Sequence, residues 1–170
     1  MSSIEKNINQ FSQRYNFEKR NYNIIIHSPD ATGKYDFIIE ILKNYYESRG
    51  IKNFDNIDLC PDIFYLSLPL YDKSGKQERV LNNYERLLFE FGLEEKFDNS
   101  RIGSDISIEQ IRQLKEFTNL SPTYAHKFVI INNCNYLNNQ SSAALLKTLE
   151  ETNSPCIFLL LASELESIKD

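Results

Sequence analysis

The stretch Ser28-Pro-Asp30-Ala-Thr32-Gly33-Lys34-Tyr35 lies between a short apolar run and a helical stripe. That is where a phosphate loop of pattern G-x-x-x-x-G-K-[ST] belongs. In such a loop the glycines let backbone amides wrap the phosphates, the lysine reaches the outer phosphates, and the hydroxyl ligates magnesium. Gly33 and Lys34 fit the pattern, but Ser28 stands in place of the first glycine and Tyr35 in place of the hydroxyl residue. A phenol is too long and differently aimed to do the work of Ser or Thr. Asp30 places a negative charge inside a loop meant to receive phosphate. The six residues Ser28, Asp30, Thr32, Gly33, Lys34 and Tyr35 therefore read as a degenerate nucleotide-binding loop.

Phosphate chemistry also needs a carboxylate at the end of a neighbouring strand to hold magnesium, with an adjacent acid to polarise the attacking water. The strand that would carry them is Phe128-Val-Ile-Ile131, and it is followed by Asn132-Asn133-Cys134-Asn135. Amides supply no charge to balance a metal and cannot take a proton. Two independent defects on two strands predict no catalytic residues and neither ATP nor magnesium as a cofactor.

Periodicity supplies the elements that must position these residues. Ile4, Ile8, Phe11 and Tyr15 recur at helical spacing and predict an amphipathic first helix. Tyr22-Asn-Ile-Ile-Ile-His27 predicts a buried parallel strand, and Phe37, Ile38, Ile41, Leu42 and Tyr45 predict a helix ending before Gly50. Further strands are expected at Ile63 to Leu68, Phe128 to Asn132 and Ile157 to Leu161. Ser107-Ile-Glu-Gln110 reads as a capping box ahead of Ile108, Ile111, Leu114 and Phe117. Asn138 or Asn139 is expected to cap a helix running to about Glu151, with Leu145, Leu146 and Leu149 inward, and Pro155 ends it. Between Tyr71 and Gly103, Val80, Leu81, Tyr84, Leu87, Leu88 and Phe91 share one helical face. The segment 71–103 therefore reads as an insertion carrying one helix between polar loops, packed on its own domain or serving as a docking surface. Strands alternating with helices imply an α/β domain, a three-layer α/β/α sandwich around a parallel sheet.

Composition narrows the function. The chain has 170 residues, enough for one domain with a small appendage. Its formal charge of -5 gives no positive field of the kind a basic nucleic-acid-binding module uses. The longest apolar run, Ile157 to Ala162, falls far short of the roughly 20 residues of a membrane helix, and the N-terminus has no signal-peptide core. A cytoplasmic protein without a membrane partner is expected. Cys60, Cys134 and Cys156 are widely spaced and His27 and His126 isolated, which supports neither a disulfide framework nor a zinc site. The aromatic residues are not interleaved with Arg or Lys as a single-strand-binding platform would require.

Four stretches, taken in order, resemble consecutive motifs of the AAA+ subunits of the bacterial DNA polymerase III clamp loader. They are Ile106 to Leu114, Lys127 to Asn135, Ala143-Ala-Leu-Leu-Lys-Thr-Leu-Glu-Glu151 and Ile157 to Ser163. The third is the most specific. Together with Pro61-Asp62-Ile-Phe-Tyr-Leu66 and the altered loop, the resemblance covers nearly the whole chain apart from 71–103. It implies an AAA+ nucleotide-binding-type fold over 1–170, and the lost loop and acids make the chain most like the delta-prime type. That type is a structural member of the loader ring, contacting the gamma/tau ATPase on one side and the delta subunit on the other. The sliding clamp and primed DNA are then reached indirectly, through the assembly.

Carried over by position, Asn132 and Asn133 occupy the sites of the family's magnesium-binding and catalytic acids, the degenerate Walker B positions. Ser163 occupies the sensor position closing the fourth strand. The resemblance also implies a subunit- or DNA-facing role for Lys147, Thr148, Glu150 and Glu151, against a plain solvated helix face. Three departures stand out. Only Cys60 remains where the family carries a four-cysteine zinc module, segment 71–103 has the look of an insertion, and the Ser-Arg-Cys motif expected beyond the fourth strand is absent before Asp170. The chain is accordingly read as an N-terminal portion without lid and collar domains. The main alternative is a gamma/tau-type loader ATPase with an atypical phosphate loop, which Tyr35 and Asn132 oppose. A weaker one is an AAA+-derived interaction module outside replication.

Overall fold

Two strands set the architecture because they are buried at every position and apolar at all but Lys127. In the computed structural model, which describes residues 3–17, 21–29, 33–51, 60–82, 85, 88 and 101–163, β6 (Lys127–Ile131) and β7 (Cys156–Ala162) are buried along their whole length. Side chains alternate faces along a strand, so a strand buried throughout must be covered on both sides. Phe128 and Ile130 of β6 face one core, whereas Val129 and Ile131 face a second. Around this pair stand β1 (Tyr22–His27) and β2 (Ile63–Leu66), giving a four-stranded parallel sheet in the order β1-β7-β6-β2.

The order explains the layers. From β1 the chain crosses to the far edge at β2 and then returns inward through β6 to β7. Right-handed crossovers that reverse direction must place their helices on opposite faces. Accordingly α1 (Ser3–Arg14) and α2 (Lys34–Glu47) cover one face, with Ile38, Ile41 and Leu42 in that core. α3 (Ile108–Asn119) and α4 (Asn139–Glu151) cover the other through Ile111, Leu114 and Leu145. This is the expected α/β fold, and the reversal makes the crevice between the carboxyl ends of β1 and β7 the topological switch point.

Local signals hold the helices in place. Ser107 accepts from the Gln110 amide while Gln110 accepts from the Ser107 amide, the reciprocal box read from the sequence. Asn138 caps α4 by accepting from the Ser141 amide at 2.9 Å. The Pro61-Asp62 turn has a structural role. Buried Asp62 accepts from the Thr123 and Tyr124 amides, both at 2.7 Å, and so fixes the entry to β6. Many of the aromatic residues are spent in the first core, where Phe17, Tyr45 and Tyr46 pack their rings against Phe128.

Three expectations need correction. β1 is parallel but not enclosed: among the described residues it is one of the two edge strands, and Asn23, Ile25 and His27 are exposed. In α4 the inward face is Leu145, Thr148 and Leu149, while Leu146 is half exposed. The polar Thr148 tolerates burial because its hydroxyl donates to the Ala144 carbonyl at 2.9 Å. The insertion, finally, opens as β structure. β3 (Pro69–Tyr71), β4 (Gln77–Val80) and β5 (Arg101–Ile102) form an antiparallel sheet in the order β4-β3-β5.

Val80 thus belongs to a strand, and buried Leu81 donates its amide to the Leu68 carbonyl. The helical turn comes later. Asn82 and Glu85 cap one another reciprocally, and Glu85 and Leu88 are helical. Tyr84, Leu87 and Phe91 of the expected stripe lie outside the described residues. The overlooked signal was turn chemistry: Asp72 accepts from the Ser74 and Lys76 amides in the β3–β4 connection.

Two outcomes follow for the insertion. A Cβ on Gly103 would lie 2.7 Å from Pro69 Cγ and 2.9 Å from Tyr71 Cε2, so Gly103→Ala should destabilise the protein by about 1–3 kcal/mol; an unchanged urea midpoint would refute the close packing. Glu85 is held below its ordinary value of 4.5 chiefly by its bond to Arg79. A carboxylate so depressed stabilises the fold above its unfolded value and loses that contribution as pH falls through the native one. The melting-temperature gap between wild type and Glu85→Gln should therefore be largest near neutrality and shrink in acid; a gap independent of pH would contradict the assignment.

Candidate functional site

The switch-point crevice collects the residues singled out from the sequence. Gly33 ends the loop after β1 with φ +80°, a left-handed conformation that side-chain-bearing residues adopt at a cost, and it precedes the first turn of α2. The next residue, Lys34, is only 6% exposed. Its ammonium donates to the Ser28 carbonyl at 2.5 Å and the Pro29 carbonyl at 2.8 Å, and it stands 3.5 Å from Ser163 Oγ at the end of β7. The Ser28 amide in turn donates to the Ala162 carbonyl, and a ring nitrogen of His27 lies 3.2 Å from the Ser163 carbonyl. The fold brings Ser28, Gly33, Lys34 and Ser163 together at the ends of β1 and β7. Asp30 and Thr32 lie outside the described residues.

Tyr35 follows Lys34 in the first turn of α2. Its half-buried ring packs edge-to-face on Tyr65 near the end of β2, with centroids 5.8 Å apart. The Tyr65 hydroxyl accepts from Asn132 Nδ2 at 3.0 Å. Asn132 itself is 1% exposed; its amide donates to the Leu66 carbonyl and its Oδ1 accepts from the Asn133 amide. Asn133 adopts a left-handed conformation, φ 62°, and accepts from Ser67 Oγ at 2.8 Å. A 3₁₀ turn follows at Cys134–Tyr136, and Asn135 Oδ1 accepts from the Ser163 amide at 2.8 Å. The asparagine cluster is thus turn and linking chemistry between strand ends. Burial pushes the Cys134 thiol up to about 12, against a backbone hydrogen bond and the Lys34 charge, which disfavours the thiolate.

The donor set does not suit magnesium. A hard cation wants charged oxygens, and the strand-end positions offer amide groups already committed to protein partners. No cluster of His, Cys, Asp or Glu that could hold a metal occurs among the described residues. Asp36, missed in the sequence reading, adds a carboxylate to the first turn of α2, where it competes with any incoming anion for the helix N-terminus. Its position two residues after Lys34 was the available signal. Tyr65 and Ser67 gave none, because their roles arise only when β2 is laid beside β6.

Along α4 the proposed outward residues divide. Lys147, Glu150 and Glu151 are exposed, whereas Thr148 is buried and leaves that group. Glu151 is tied to Lys115 of α3 at 2.8 Å and lies 3.8 Å from Lys147, and these cations hold its carboxyl below the usual range.

A parallel α/β sheet with a lysine-bearing loop at its switch point is the arrangement of a nucleotide-binding-type α/β fold. Among solved structures, the chain is similar to the crystal structure of a DNA polymerase III gamma subunit-related protein from Thermotoga maritima. The TM-score is 0.58 at 17% identity, over 99% of this chain and 42% of the other. The chain belongs to the family described as DNA polymerase III, delta subunit, whose sequence profile matches residues 4–169. No curated protein sequence matches it. Among the described residues no helix is long and apolar enough to cross a membrane.

The geometry makes Lys34 a strut between β1 and β7. Lys34→Met should lower unfolding free energy by about 1–3 kcal/mol through loss of its bonds to the loop carbonyls. Chemical denaturation would measure this, and unchanged stability would show that the strut carries no load.

Proposed function

We propose that this chain is the nucleotide-binding-type region of a delta-prime-like subunit, a non-catalytic structural member of the DNA polymerase III clamp loader. The observation that carries the reading is the state of the strand-end positions: Asn132 and Asn133 bond to Tyr65 and Ser67 and present amides where hydrolysis needs carboxylates. In this role the subunit is cytoplasmic and uses no ATP, magnesium or zinc of its own. It contacts the gamma/tau and delta subunits, and it serves the sliding clamp and primed DNA through the ring. Exposed Lys147 and Glu150 on α4 are available for a neighbouring subunit or DNA.

One observation favours the ATPase alternative, since Gly33 and Lys34 keep a phosphate-loop arrangement at the β1 end. The full-length protein decides between the two. Stable co-elution with gamma/tau and delta, with no ATP turnover by the isolated subunit, is the expected result. Turnover abolished by Lys34→Ala would establish the ATPase reading, and failure to join the loader would remove the replication role.

A further inference from the structure

The Tyr35 to Asn132 contacts have a meaning beyond the absence of catalytic groups. In a working site the hydroxyl after the lysine and the acid at the strand end converge on one magnesium ion. Here the residues at those two positions are joined instead by a third, Tyr65. Tyr35 packs edge-to-face on its ring at 5.8 Å, and Asn132 donates to its hydroxyl at 3.0 Å. We propose that Tyr35, Tyr65 and Asn132 form a plug that fills the metal corner of the site, with Tyr65 as its positioning residue. This deepens the non-catalytic reading and rests on it.

The plug is held from behind. Asn132 Oδ1 fixes the Asn133 amide, Asn133 accepts from Ser67 Oγ, and the Ser67 carbonyl accepts from Gln110 Nε2 at 3.0 Å. Gln110 is the buried member of the α3 capping box, so the chain of contacts runs from the old phosphate loop to the start of α3. Such a connected set excludes a metal in two ways. Asn132 commits its Nδ2 to the Tyr65 hydroxyl and its Oδ1 to the Asn133 amide, and the Tyr35 ring replaces the hydroxyl ligand. Restoring charge at one position therefore leaves the other closed, and the exclusion is a property of the set.

The test uses the full-length protein with manganese and ATP as an EPR-visible probe of the metal corner. Wild type, Asn132→Asp and Tyr35→Thr should show no manganese-dependent ATP binding, and the double variant should bind about tenfold or more tighter than either single variant. Binding gained by Asn132→Asp alone, or no gain in a folded double variant, overturns the plug. A second measurement stands if the double variant does not fold. Tyr65→Phe keeps the ring and removes the hydroxyl, and should lower the melting temperature by about 2–4 °C. In an Asn132→Ala background the same change should cost almost nothing. Additive losses would show that the two residues act separately. Neither readout depends on joining the loader, so failure of the plug and failure of the delta-prime-like role are separable.

Discussion

Everything at the functional edge follows from the need to satisfy polar groups where two fully buried strands come to an end. β6 and β7 have no solvent on either face, so the backbone and side chains that close them must find partners within the protein. They do so by bonding to each other's neighbours. The Asn132 amide reaches β2, the Ser163 amide reaches Asn135, and the Lys34 ammonium spans the ends of β1 and β7. A bound nucleotide would satisfy such an edge in an ATPase. Here amides, a phenol and a lysine supply the contacts.

The same economy governs the rest of the chain. Among the described residues, buried charge closes gaps in the backbone hydrogen bonding. Asp62 satisfies two loop amides ahead of β6, and buried Lys127 donates to the Phe117 carbonyl in the last turn of α3. Burial presses the Lys127 ammonium toward neutrality, and the nearby Asp62 charge opposes that shift. The insertion is likewise anchored: its Leu81 joins Leu68, Leu70, Val129 and Ile131 in the second core, and its Ile102 packs against them.

Features of the candidate site are legible in the sequence where their chemistry is local. Gly33 and Lys34 were legible because a positive-φ glycine and a lysine at a helix start are properties of adjacent residues. The Ser107–Gln110 capping box and an asparagine cap at the start of α4 were legible for the same reason. Thr148 and Leu146 exchanged their expected places because two helical faces a few positions apart both carry apolar residues. Val80 was misread because a four-residue strand has too short a period to be told from a helix without its partner β3.

By itself the sequence determined the alternation of strands and helices, the apolar centre of the sheet and the loss of acidic and hydroxyl groups from the phosphate-binding pattern. These are statements about composition and spacing along one segment at a time. Only the tertiary structure decided that β1 lies at an edge, that the insertion opens as an antiparallel sheet, and that Tyr65 joins Tyr35 to Asn132. The physical reason is sequence separation. Tyr65 and Asn132 are 67 positions apart, and a hydrogen bond between them exists only once parallel pairing has set β2 beside β6 in register.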